Sequence, residues 1–511
     1  MYPVVDPSDW IENAARNHPQ RLFLSTPAGR RYSYSTLREE TGRLAGALRQ
    51  LGVSSGDRVA VRIEKSPEAV FLYIACLRLG AVFAPINLAC APNEVEYFLS
   101  DSKARVAILD PDDLKTLEPL ALRAGVQQVA TLDANGQGSL LERAHRSGVP
   151  FEPPTGLSGD SVAAIVYTSG TTGRSKGAML TRRNLASNAA ALADLWRFTD
   201  QDVLLHALPL FHVHGLFVAI NTVLVSGSAL LLVPKFAAAA VLEQMPLVSV
   251  FMGVPTHYTR LLQEAGLNRA ATAGMRLFVS GSAPLLAETH QQFARRTGHR
   301  ILERYGMTET LMNTSNPYEG ERIPGSVGPA LPGISVRIAN AARGTVESEP
   351  EAIGMLEIKG PNVFAGYWGD ERKTRAEFTP DGWFKTGDLG RIDRNGYAYI
   401  VGRVKDLVIS GGYNVYPKEV ESELDTVPGV LESAVFGVPH PDFGEGVTAA
   451  VVLRPGVAVS EAQILEAVQP RLARYKIPKR ILIVSELPRN TMGKVQKSLL
   501  RATHATLYQG V

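Results

Sequence analysis

The chain has 511 residues, of which 45% are apolar and 20% charged, with a formal net charge of +3. This length exceeds one ordinary hydrophobic core and predicts two or more domains, while the small net charge argues against nucleic acid or a membrane as partner. The two cysteines, Cys76 and Cys90, establish no disulfide framework and no cysteine-based metal site. Met1–Asp6 does not resemble a signal peptide, so a cytoplasmic protein is predicted.

The first 150 residues alternate between strand and helix patterns. Asp57–Ile63 predicts a strand, and Pro67–Leu79 predicts a helix that ends before Gly80. Val82–Pro85 and Arg105–Asp110 predict two further strands. Strands separated by helices indicate a parallel α/β sheet with both faces covered.

A connector rich in proline and glycine, Phe151–Asp160, predicts a boundary between two lobes. The same alternation continues beyond it to about residue 330. Its predicted strands are Val162–Tyr167, Val203–Ala207, Ala229–Val233, Leu247–Met252 and Met275–Ser280. The apolar run Ala219–Val233 is shorter than a ~20-residue membrane span, so it predicts a buried helix and strand.

The pattern changes over residues 325–402, where short strands separated by turns indicate an antiparallel unit. These strands are Ile334–Ile338, Gly354–Lys359 and Tyr397–Val401. From Asp406 onward the pattern predicts a small mixed domain. Its predicted helices are Pro417–Leu424 and Glu461–Leu472, and its predicted strands are Ala434–Val438, Thr448–Leu453 and Arg480–Val484.

The most informative motif is Thr168–Gly177, Thr-Ser-Gly-Thr-Thr-Gly-Arg-Ser-Lys-Gly. It follows an apolar strand, and a helix is predicted to start near Thr181. Glycines permit close backbone approach, and hydroxyls, N–H groups and Lys176 suit a polyphosphate. The pattern differs from the Walker loop because Gly177 follows the lysine. A solvated linker is the alternative, which the framing by a strand and a helix disfavours.

A second motif, Tyr305–Thr310, combines an aromatic ring, a glycine, a hydroxyl and a carboxylate. Glu309 is a candidate Mg²⁺ ligand, since proteins hold Mg²⁺ by one or two carboxylates together with substrate phosphates. Taken alone, this run is equally well explained as a solvated loop.

Two further motifs lie towards the C-terminus. In the first, Asp388 could accept ribose hydroxyls, and Arg403 could donate to the same sugar or to a phosphate. In the second, Leu487–Lys494 places Lys494 on an exposed turn. Each alone could be an ordinary turn or surface residue, so their weight comes from the combination.

In this order and spacing, the four motifs resemble the acyl-adenylate-forming enzymes, which include acyl-CoA synthetases, luciferases and the adenylation domains of peptide synthetases. The resemblance covers essentially the whole chain. Within the family, the malonyl-CoA synthetase branch is similar at Leu208–Gly215, Gly253–Arg260 and Glu303–Asn316. Ser175, where the wider family usually has proline, also resembles that branch.

The resemblance implies an α/β fold of the acyl-CoA synthetase/luciferase type. Residues 1–402 would form an N-terminal AMP-binding domain of α/β subdomains plus an antiparallel unit, holding the ATP and acyl sites. Residues 403–405, with Lys405, would form a hinge, and residues 406–511 a small mobile α+β domain that carries the catalytic lysine.

The implied reaction has two steps and uses ATP, Mg²⁺ and coenzyme A. A carboxylate attacks the α-phosphorus of ATP to give an acyl-adenylate and pyrophosphate, and the CoA thiol then displaces AMP. For the malonyl branch the acid is malonate, with methylmalonate also accepted, because one methyl group is worth only ~1–3 kcal/mol of discrimination.

The resemblance also assigns residues to each part of the site. The implied phosphate-binding residues are Thr168, Ser169, Gly170, Thr171, Thr172 and Lys176. The implied adenine- and ribose-binding residues are Ser282, Ala283, Glu303, Arg304, Tyr305, Asp388 and Arg403. Glu309 and Thr171 would hold Mg²⁺, and Lys494, Glu309 and Thr308 are the implied catalytic residues. Ser410, Gly411, Gly412 and Tyr413 would line the CoA channel.

The second carboxylate of a diacid must be paired in a closed pocket, because an isolated buried charge is very costly. Arg260, one turn into a predicted helix, is the candidate partner, although it could also be a surface ion-pair residue. His212, Ser282 and Met307 would complete the acyl pocket. His214 is expected to orient the loop, and a metal site at the two histidines is not expected because a third ligand is missing.

Two other functions remain open from the sequence. One is an acyl-CoA synthetase for another short or aromatic carboxylate. The other is an adenylation enzyme that loads a carrier protein, which the absence of a carrier segment after Lys494 disfavours.

The exposed turn predicted for Lys494 makes it a candidate target of a lysine acetyltransferase. Acetylation removes the positive charge, so we expect it to abolish acyl-adenylate formation and to spare thioester formation from a preformed acyl-adenylate. Pyrophosphate release by the acetylated protein measures the first step, and a normal rate would contradict the role assigned to Lys494.

Overall fold

A computed structural model describes residues 4–146, 151–168, 175–340, 344–347, 349–490 and 493–509. The chain divides into two compact units. The first comprises Met1–Ser335 and Ile358–Phe384, and the second Val336–Glu357 and Lys385–Val511. Each unit has its own sheets and its own core.

The strands of the described residues are numbered in chain order. They are β1 (Leu22–Ser25), β2 (Arg31–Ser33), β3 (Arg58–Arg62), β4 (Val82–Pro85), β5 (Val106–Leu109), β6 (Gln128–Thr131), β7 (Val162–Thr168), β8 (Lys176–Thr181), β9 (Val203–His206), β10 (Ala229–Leu232), β11 (Val250–Gly253), β12 (Leu277–Ser280), β13 (Leu302–Met307), β14 (Leu311–Ser315), β15 (Ser335–Ala339), β16 (Gly354–Lys359), β17 (Gly366–Tyr367), β18 (Phe384–Ile392), β19 (Ala398–Arg403), β20 (Val408–Ser410), β21 (Tyr413–Val415), β22 (Val430–His440), β23 (Gly444–Leu453) and β24 (Arg480–Val484).

The α-helices are numbered in the same way. They are α1 (Pro7–Asn17), α2 (Tyr34–Gln50), α3 (Pro67–Leu79), α4 (Pro92–Asp101), α5 (Leu114–Arg123), α6 (Ser139–Arg146), α7 (Arg182–Leu195), α8 (Asn221–Ser226), α9 (Ala238–Gln244), α10 (Pro255–Leu261), α11 (Ala287–Thr297), α12 (Glu371–Ala376), α13 (Pro417–Leu424), α14 (Glu461–Val468) and α15 (Lys497–Thr503).

The first unit contains two large mixed sheets. One has the strand order β17-β8-β7-β4-β3-β5-β6 and is parallel from β7 to β6. The other has the order β14-β13-β12-β11-β9-β10-β1-β2 and is parallel from β13 to β1. The predicted parallel α/β architecture is therefore confirmed, with antiparallel pairs only at the sheet edges.

Helix α3 illustrates how the sequence determines these elements. Ser66 caps its first turn by accepting a hydrogen bond from the Ala69 amide, and Pro67 stands at its first position. Gly80 ends it in the left-handed conformation, with φ of 73°. All of its residues are buried, which fits a helix packed within an α/β layer.

The motif Thr168–Gly177 differs from the expected strand–loop–helix arrangement. Strand β8 begins at Lys176 and pairs antiparallel with β7, with Thr168 opposite Lys176. Strands β7 and β8 therefore form an antiparallel pair, and α7 starts only after β8 ends. Five residues of β8 after the lysine continue the sheet, so strand pairing fixes both Thr168 and Lys176.

The second unit contains an antiparallel sheet of order β15-β16-β18-β19 and a five-stranded sheet in which β24 joins β21-β20-β23-β22. The apolar faces of the latter are covered by α13 and α14 on one side and by α15 on the other. The antiparallel sheet therefore groups with the C-terminal region in this division, and the hinge at residues 403–405 stays a prediction.

No helix among the described residues is both long enough and apolar enough to cross a membrane.

A buried carboxyl in the second unit generates a prediction about stability. Burial raises the pKa of Asp425 to about 6, from an ordinary value of 3.8, with Glu421 and Glu432 adding to the effect. The folded protein therefore binds this proton more tightly than the unfolded chain, and the free energy of unfolding falls as pH rises between these two values. Asp425→Asn should increase stability by at most about 3 kcal/mol above pH 6, and less towards pH 4.

Thermal unfolding from pH 4.5 to pH 8 measures this effect, with Asp442→Asn, at an exposed position, as the control. A gain that is the same at every pH would contradict the assignment to Asp425.

Candidate active site

The parallel strands of the eight-stranded sheet place several sequence motifs at one edge. Strands β9, β11, β12 and β13 run in the same direction and end at His206, Gly253, Ser280 and Met307. The segments that follow these strands carry, in order, His212 with His214, Arg260, Ser282 with Ala283, and Glu309. Ligands of α/β proteins bind at the carboxyl ends of such strands.

We call Thr168–Gly177 the phosphate-loop motif. The structure describes Thr168 and the residues from Ser175 onward. The Tyr97 hydroxyl donates to the Ser175 carbonyl at 2.8 Å, and the Trp368 amide donates to the Gly177 carbonyl at 2.8 Å. These two hydrogen bonds fix the backbone on either side of Lys176. The predicted ligands Ser169, Gly170, Thr171 and Thr172 lie outside the described residues.

Tyr367 contacts both the phosphate-loop motif and the motif Tyr305–Thr310, which contains Glu309. Its hydroxyl donates to Glu309 Oε1 at 3.0 Å, and the Lys176 ammonium lies 5.6 Å from its ring centroid. Burial and the charge of Glu309 raise the pKa of Tyr367, so its hydroxyl keeps its proton and remains a donor. Two motifs separated by more than a hundred residues therefore meet at one aromatic side chain.

Sequence reasoning did not identify Tyr367. It stands in β17, a strand of two residues paired with β8, where Tyr367 lies opposite Ala178. The available signal was the run Gly366-Tyr367-Trp368-Gly369, whose aromatic residues stand between two glycines.

The turn after β13 depends on one glycine. A Cβ at Gly306 would lie 1.9 Å from the Leu311 carbonyl oxygen, so only glycine allows β13 and β14 to pair there. The turn carries Thr308 and Glu309 between the two strands. Glu309 is buried, and its carbonyl accepts from the Phe364 amide at 2.8 Å. Met307, the last residue of β13, is partly exposed beside them.

Ser282 adopts a strained backbone at the end of β12. Its φ is +71°, a conformation that a residue with a side chain rarely takes outside functional sites. Its hydroxyl lies 3.2 Å from His214 Nδ1. Burial and the charge of Arg304 lower the pKa of His214 well below its usual value, so the imidazole is neutral. Ala283 follows directly and is partly exposed.

Arg304 is the most unusual side chain of the first unit. It is buried, and its Nε and Nη2 atoms have no hydrogen-bond partner among the described residues. A Cβ at Gly281 would lie 2.4 Å from its guanidinium carbon, so the glycine leaves the room that this group occupies. Burial lowers the pKa of Arg304 to about 9, which leaves it charged at neutral pH. A buried cation with unused donors favours the binding of an anion.

Arg304 was predicted to bind adenine or ribose together with Glu303 and Tyr305. Glu303 Oε1 accepts from the Gly325 amide at 3.1 Å, a contact that stabilises the neighbouring loop. Tyr305 is nearly buried in β13. Contact of these three residues with a nucleotide stays a prediction.

Arg260 and the remaining histidines surround the same edge of the sheet. Arg260 is exposed in the last turn of α10. His257, in the same helix, stacks on Phe236 with ring centroids 3.8 Å apart. Burial and the charge of Arg260 lower the pKa of His257 to about 3. His212 is partly exposed and its Nδ1 accepts from the His214 amide at 3.3 Å.

In the second unit, Asp388 and Arg403 stand opposite each other on β18 and β19. Arg403 Nε lies 2.8 Å from Asp388 Oδ1, and the carboxyl is buried while the guanidinium is 41% exposed. The sequence prediction that these two residues form one site is thus supported by their pairing, whereas contact with ribose stays a prediction.

The predicted hinge residue Lys405 lies in a single 3₁₀ turn, Val404–Asp406, and is exposed. Its carbonyl accepts from Arg501 Nη1 at 2.9 Å. The predicted CoA-channel residues follow at the turn between β20 and β21, where Gly411 and Gly412 have φ of 58° and 79°. Ser410 is buried, and Tyr413 is exposed and stacks on Tyr475.

Lys494 lies on a short hairpin. The Asn490 amide donates to the Lys494 carbonyl at 2.9 Å, and the Lys494 amide donates to Asn490 Oδ1 at 3.0 Å. Gly493 adopts φ of 75°, which the turn requires. The tip residues Thr491 and Met492 lie outside the described residues.

The side chains of this site fit a Mg²⁺ ion that is held mainly by the phosphates of a bound substrate. No group of three or more histidine, cysteine, aspartate or glutamate side chains within the described ranges could hold a metal. Glu309 offers a carboxylate, whose Oε1 accepts from the Tyr367 hydroxyl. Mg²⁺ commonly uses one or two protein carboxylates together with substrate phosphates and water.

Family models match both parts of the chain. The model described as AMP-binding enzyme matches residues 11–368, and the model of the AMP-binding enzyme C-terminal domain matches residues 419–494. The mitochondrial malonate–CoA ligase of Mus musculus is 36% identical, over 91% of this chain and 84% of its own. A sulfoacetate–CoA ligase of Cupriavidus necator is 34% identical, over 94% of this chain and 95% of its own.

A solved structure, ATP-bound MatB from Rhodopseudomonas palustris, superimposes with a TM-score of 0.95. It is 50% identical, and the match covers 99% of this chain and 100% of that one. The predicted acyl-CoA synthetase/luciferase-like fold is confirmed. The chain belongs to the AMP-binding enzyme family and is an AMP-forming acyl-CoA ligase.

Proposed function

We propose that this protein is a malonyl-CoA synthetase, converting malonate, ATP and CoA into malonyl-CoA, AMP and pyrophosphate, with methylmalonate also accepted. The observation that carries the proposal is the buried guanidinium of Arg304 with two unused donors. A monocarboxylic acid spends its single carboxylate in the reaction. Only an acid with a second anionic group leaves an anion for this cation.

Arg304 and Arg260 have different roles in binding the diacid. Arg304, with Gly281 beside it and the neutral His214 near it, binds the second carboxylate in a region shielded from water. Charge-assisted, bidentate contact with a guanidinium is strong and directional. Arg260, exposed on α10, attracts the incoming dianion and contributes at the entrance.

The reaction needs no protein nucleophile, because positioning and electrostatic stabilisation suffice for transfer at phosphorus. An oxygen of the malonate carboxylate forms a bond to the α-phosphorus of ATP as the bond to the pyrophosphate oxygen breaks. Lys176 binds the departing phosphates, and the Lys494 ammonium lies between the two anions that must meet. Glu309 would hold a Mg²⁺ ion, which would supply positive charge to the phosphates.

In the second step, the CoA sulfur forms a bond to the carbonyl carbon of the malonyl-adenylate and the carbon–oxygen bond to AMP breaks. The thiol proton passes to solvent. Asp388 and Arg403 hold the ribose, and the turn at Gly411 and Gly412 lines the path of the CoA arm, where the glycines allow close approach. Rotation about the 403–405 hinge exchanges Lys494 for this turn between the steps.

A second candidate substrate is sulfoacetate, which carries a sulfonate where malonate carries its second carboxylate. A guanidinium binds both groups, and the Cupriavidus necator relative is named for this acid. Loading of a carrier protein and activation of an aromatic monocarboxylate remain less favoured, since neither uses the buried charge of Arg304.

Substitution of Arg304 tests the proposal. In Arg304→Met, kcat/KM for malonate should fall roughly 100-fold or more, because one partner of a buried ion pair is removed, while the value for acetate should not fall. Arg260→Ala should lower malonate turnover less, mainly through KM. AMP release with malonate, methylmalonate, succinate, sulfoacetate, acetate and benzoate measures the preference.

The ligand-free protein gives a second readout. Arg304→Met removes an uncompensated buried charge, so its melting temperature without ligand should equal or exceed that of the wild type. Arg296→Met, which removes a guanidinium hydrogen-bonded to three backbone carbonyls, is the matched control and should lower it. Wild-type preference for acetate or benzoate, or retained malonate activity in Arg304→Met, would contradict the proposal.

Tyr367→Phe tests the link between the phosphate-loop motif and Glu309. Loss of its hydroxyl removes one hydrogen bond that orients Glu309, so the Mg²⁺ concentration for half-maximal adenylation should rise several-fold, with little change in the KM for malonate. Tyr32→Phe, which removes a tyrosine–glutamate hydrogen bond of the same unit, is the control. An unchanged Mg²⁺ dependence would show that Tyr367 does not orient Glu309.

A further inference from the structure

The hairpin that carries Lys494 is attached to the rest of its unit at both ends by ion pairs. On the incoming strand, Arg489 Nη2 pairs with Glu432 on β22. Beyond the outgoing strand, Lys497 Nζ donates to Glu421 Oε1 on α13 at 2.5 Å. The two acidic partners therefore belong to elements that pack together in the C-terminal core.

Arg489 has a second contact that lies inside the hairpin itself. Its Nη1 donates to the Gly493 carbonyl at 2.6 Å, directly before Lys494. One guanidinium thus connects Glu432 to the backbone that presents the lysine. Because the guanidinium is planar and rigid, it transmits the position of β22 to the turn better than a flexible ammonium would.

Glu421 is held more firmly than a surface carboxylate. It is buried, its Oε1 also accepts from the Val435 amide at 3.0 Å, and Lys497 and Lys418 lower its pKa despite burial. Leu487, just before the hairpin, and Leu500, just after it, are buried in one apolar cluster. The base of the hairpin is therefore fixed, and the Arg489–Glu432 pair controls the arm that extends from it.

We propose that Arg489 and Glu432 are positioning residues for adenylation, acting through the backbone at Gly493 to hold Lys494 in place. This inference rests on the proposed role of Lys494. Neither residue touches the reacting atoms. The pair is partly exposed, with side-chain exposures of 29% and 26%, so its contribution to global stability is small.

The two half-reactions separate this role from a purely structural one. In Arg489→Met, pyrophosphate release from ATP and malonate without CoA should fall roughly 10- to 100-fold in kcat, since a misplacement of about 1 Å costs that much. Thioester formation from chemically prepared malonyl-adenylate and CoA should stay within about twofold. The melting temperature should change little, and Arg489→Lys should recover part of the rate.

A matched control is Arg471→Met, which removes another partly exposed ion pair of the same unit, with Glu423 at 3.4 Å. It should leave both half-reactions unchanged. Charge exchange in the double variant Arg489→Glu/Glu432→Arg should restore more adenylation than either single change retains.

A double-mutant cycle with Lys494→Ala provides the decisive comparison. If Arg489 acts through Lys494, Arg489→Met has no further effect on adenylation once the lysine is absent. Equal losses in both half-reactions, or full additivity in the cycle, would overturn the inference. If Lys494→Ala itself adenylates normally, the proposed role of Lys494 fails instead, and this is seen without any change at Arg489.

Discussion

The chemistry proposed for this protein depends on one electrostatic constraint, the buried guanidinium of Arg304. Another buried arginine, Arg182, donates to Asp6, Ser8 and the Leu77 carbonyl. In Arg304, both Nε and Nη2 have no hydrogen-bond partner among the described residues, although burial penalises its charge in the same way. Folding tolerates that cost at the carboxyl edge of a parallel sheet, where the surrounding strands fix the position of the group. In the proposed function, the second carboxylate of the substrate offsets it.

Strand pairing and side-chain contacts elsewhere in the first unit fix the residues at this edge of the sheet. Gly306 permits the tight pairing of β13 and β14, and Tyr367 links Glu309 to Lys176 at the start of β8. In the second unit, the ion pair of Arg489 with Glu432 and the hydrogen bonds between Asn490 and Lys494 hold the segment that carries Lys494. The active groups are thus carried by strand ends and short hairpins rather than by long loops, which restricts the geometry available to each of them.

Much of this could be predicted from the sequence, and the failures have physical reasons. The bounds of α3 and α13 were predicted correctly because proline starts both helices and, at α3, glycine stops it. Strand β8 was missed because it forms through pairing with β7 and β17, whereas its own sequence is too short to show a strand pattern. Tyr367 was missed because its role depends on contacts with two distant motifs. The burial of the Arg304 guanidinium beside Gly281 was not predicted, because that contact joins the residue after β12 to a residue of β13.

The absence of a side chain at Gly281 has a consequence for how substrate range changes within such a fold. The space that a methyl group would occupy there is already filled by the Arg304 guanidinium. A single replacement of this glycine by alanine would therefore displace the charge without altering the arginine itself. In the proposed function, Gly281 therefore affects the preference between acids with one and two anionic groups through the position of Arg304. A Gly281→Ala change in a descendant of this chain would alter that preference without any change at the arginine.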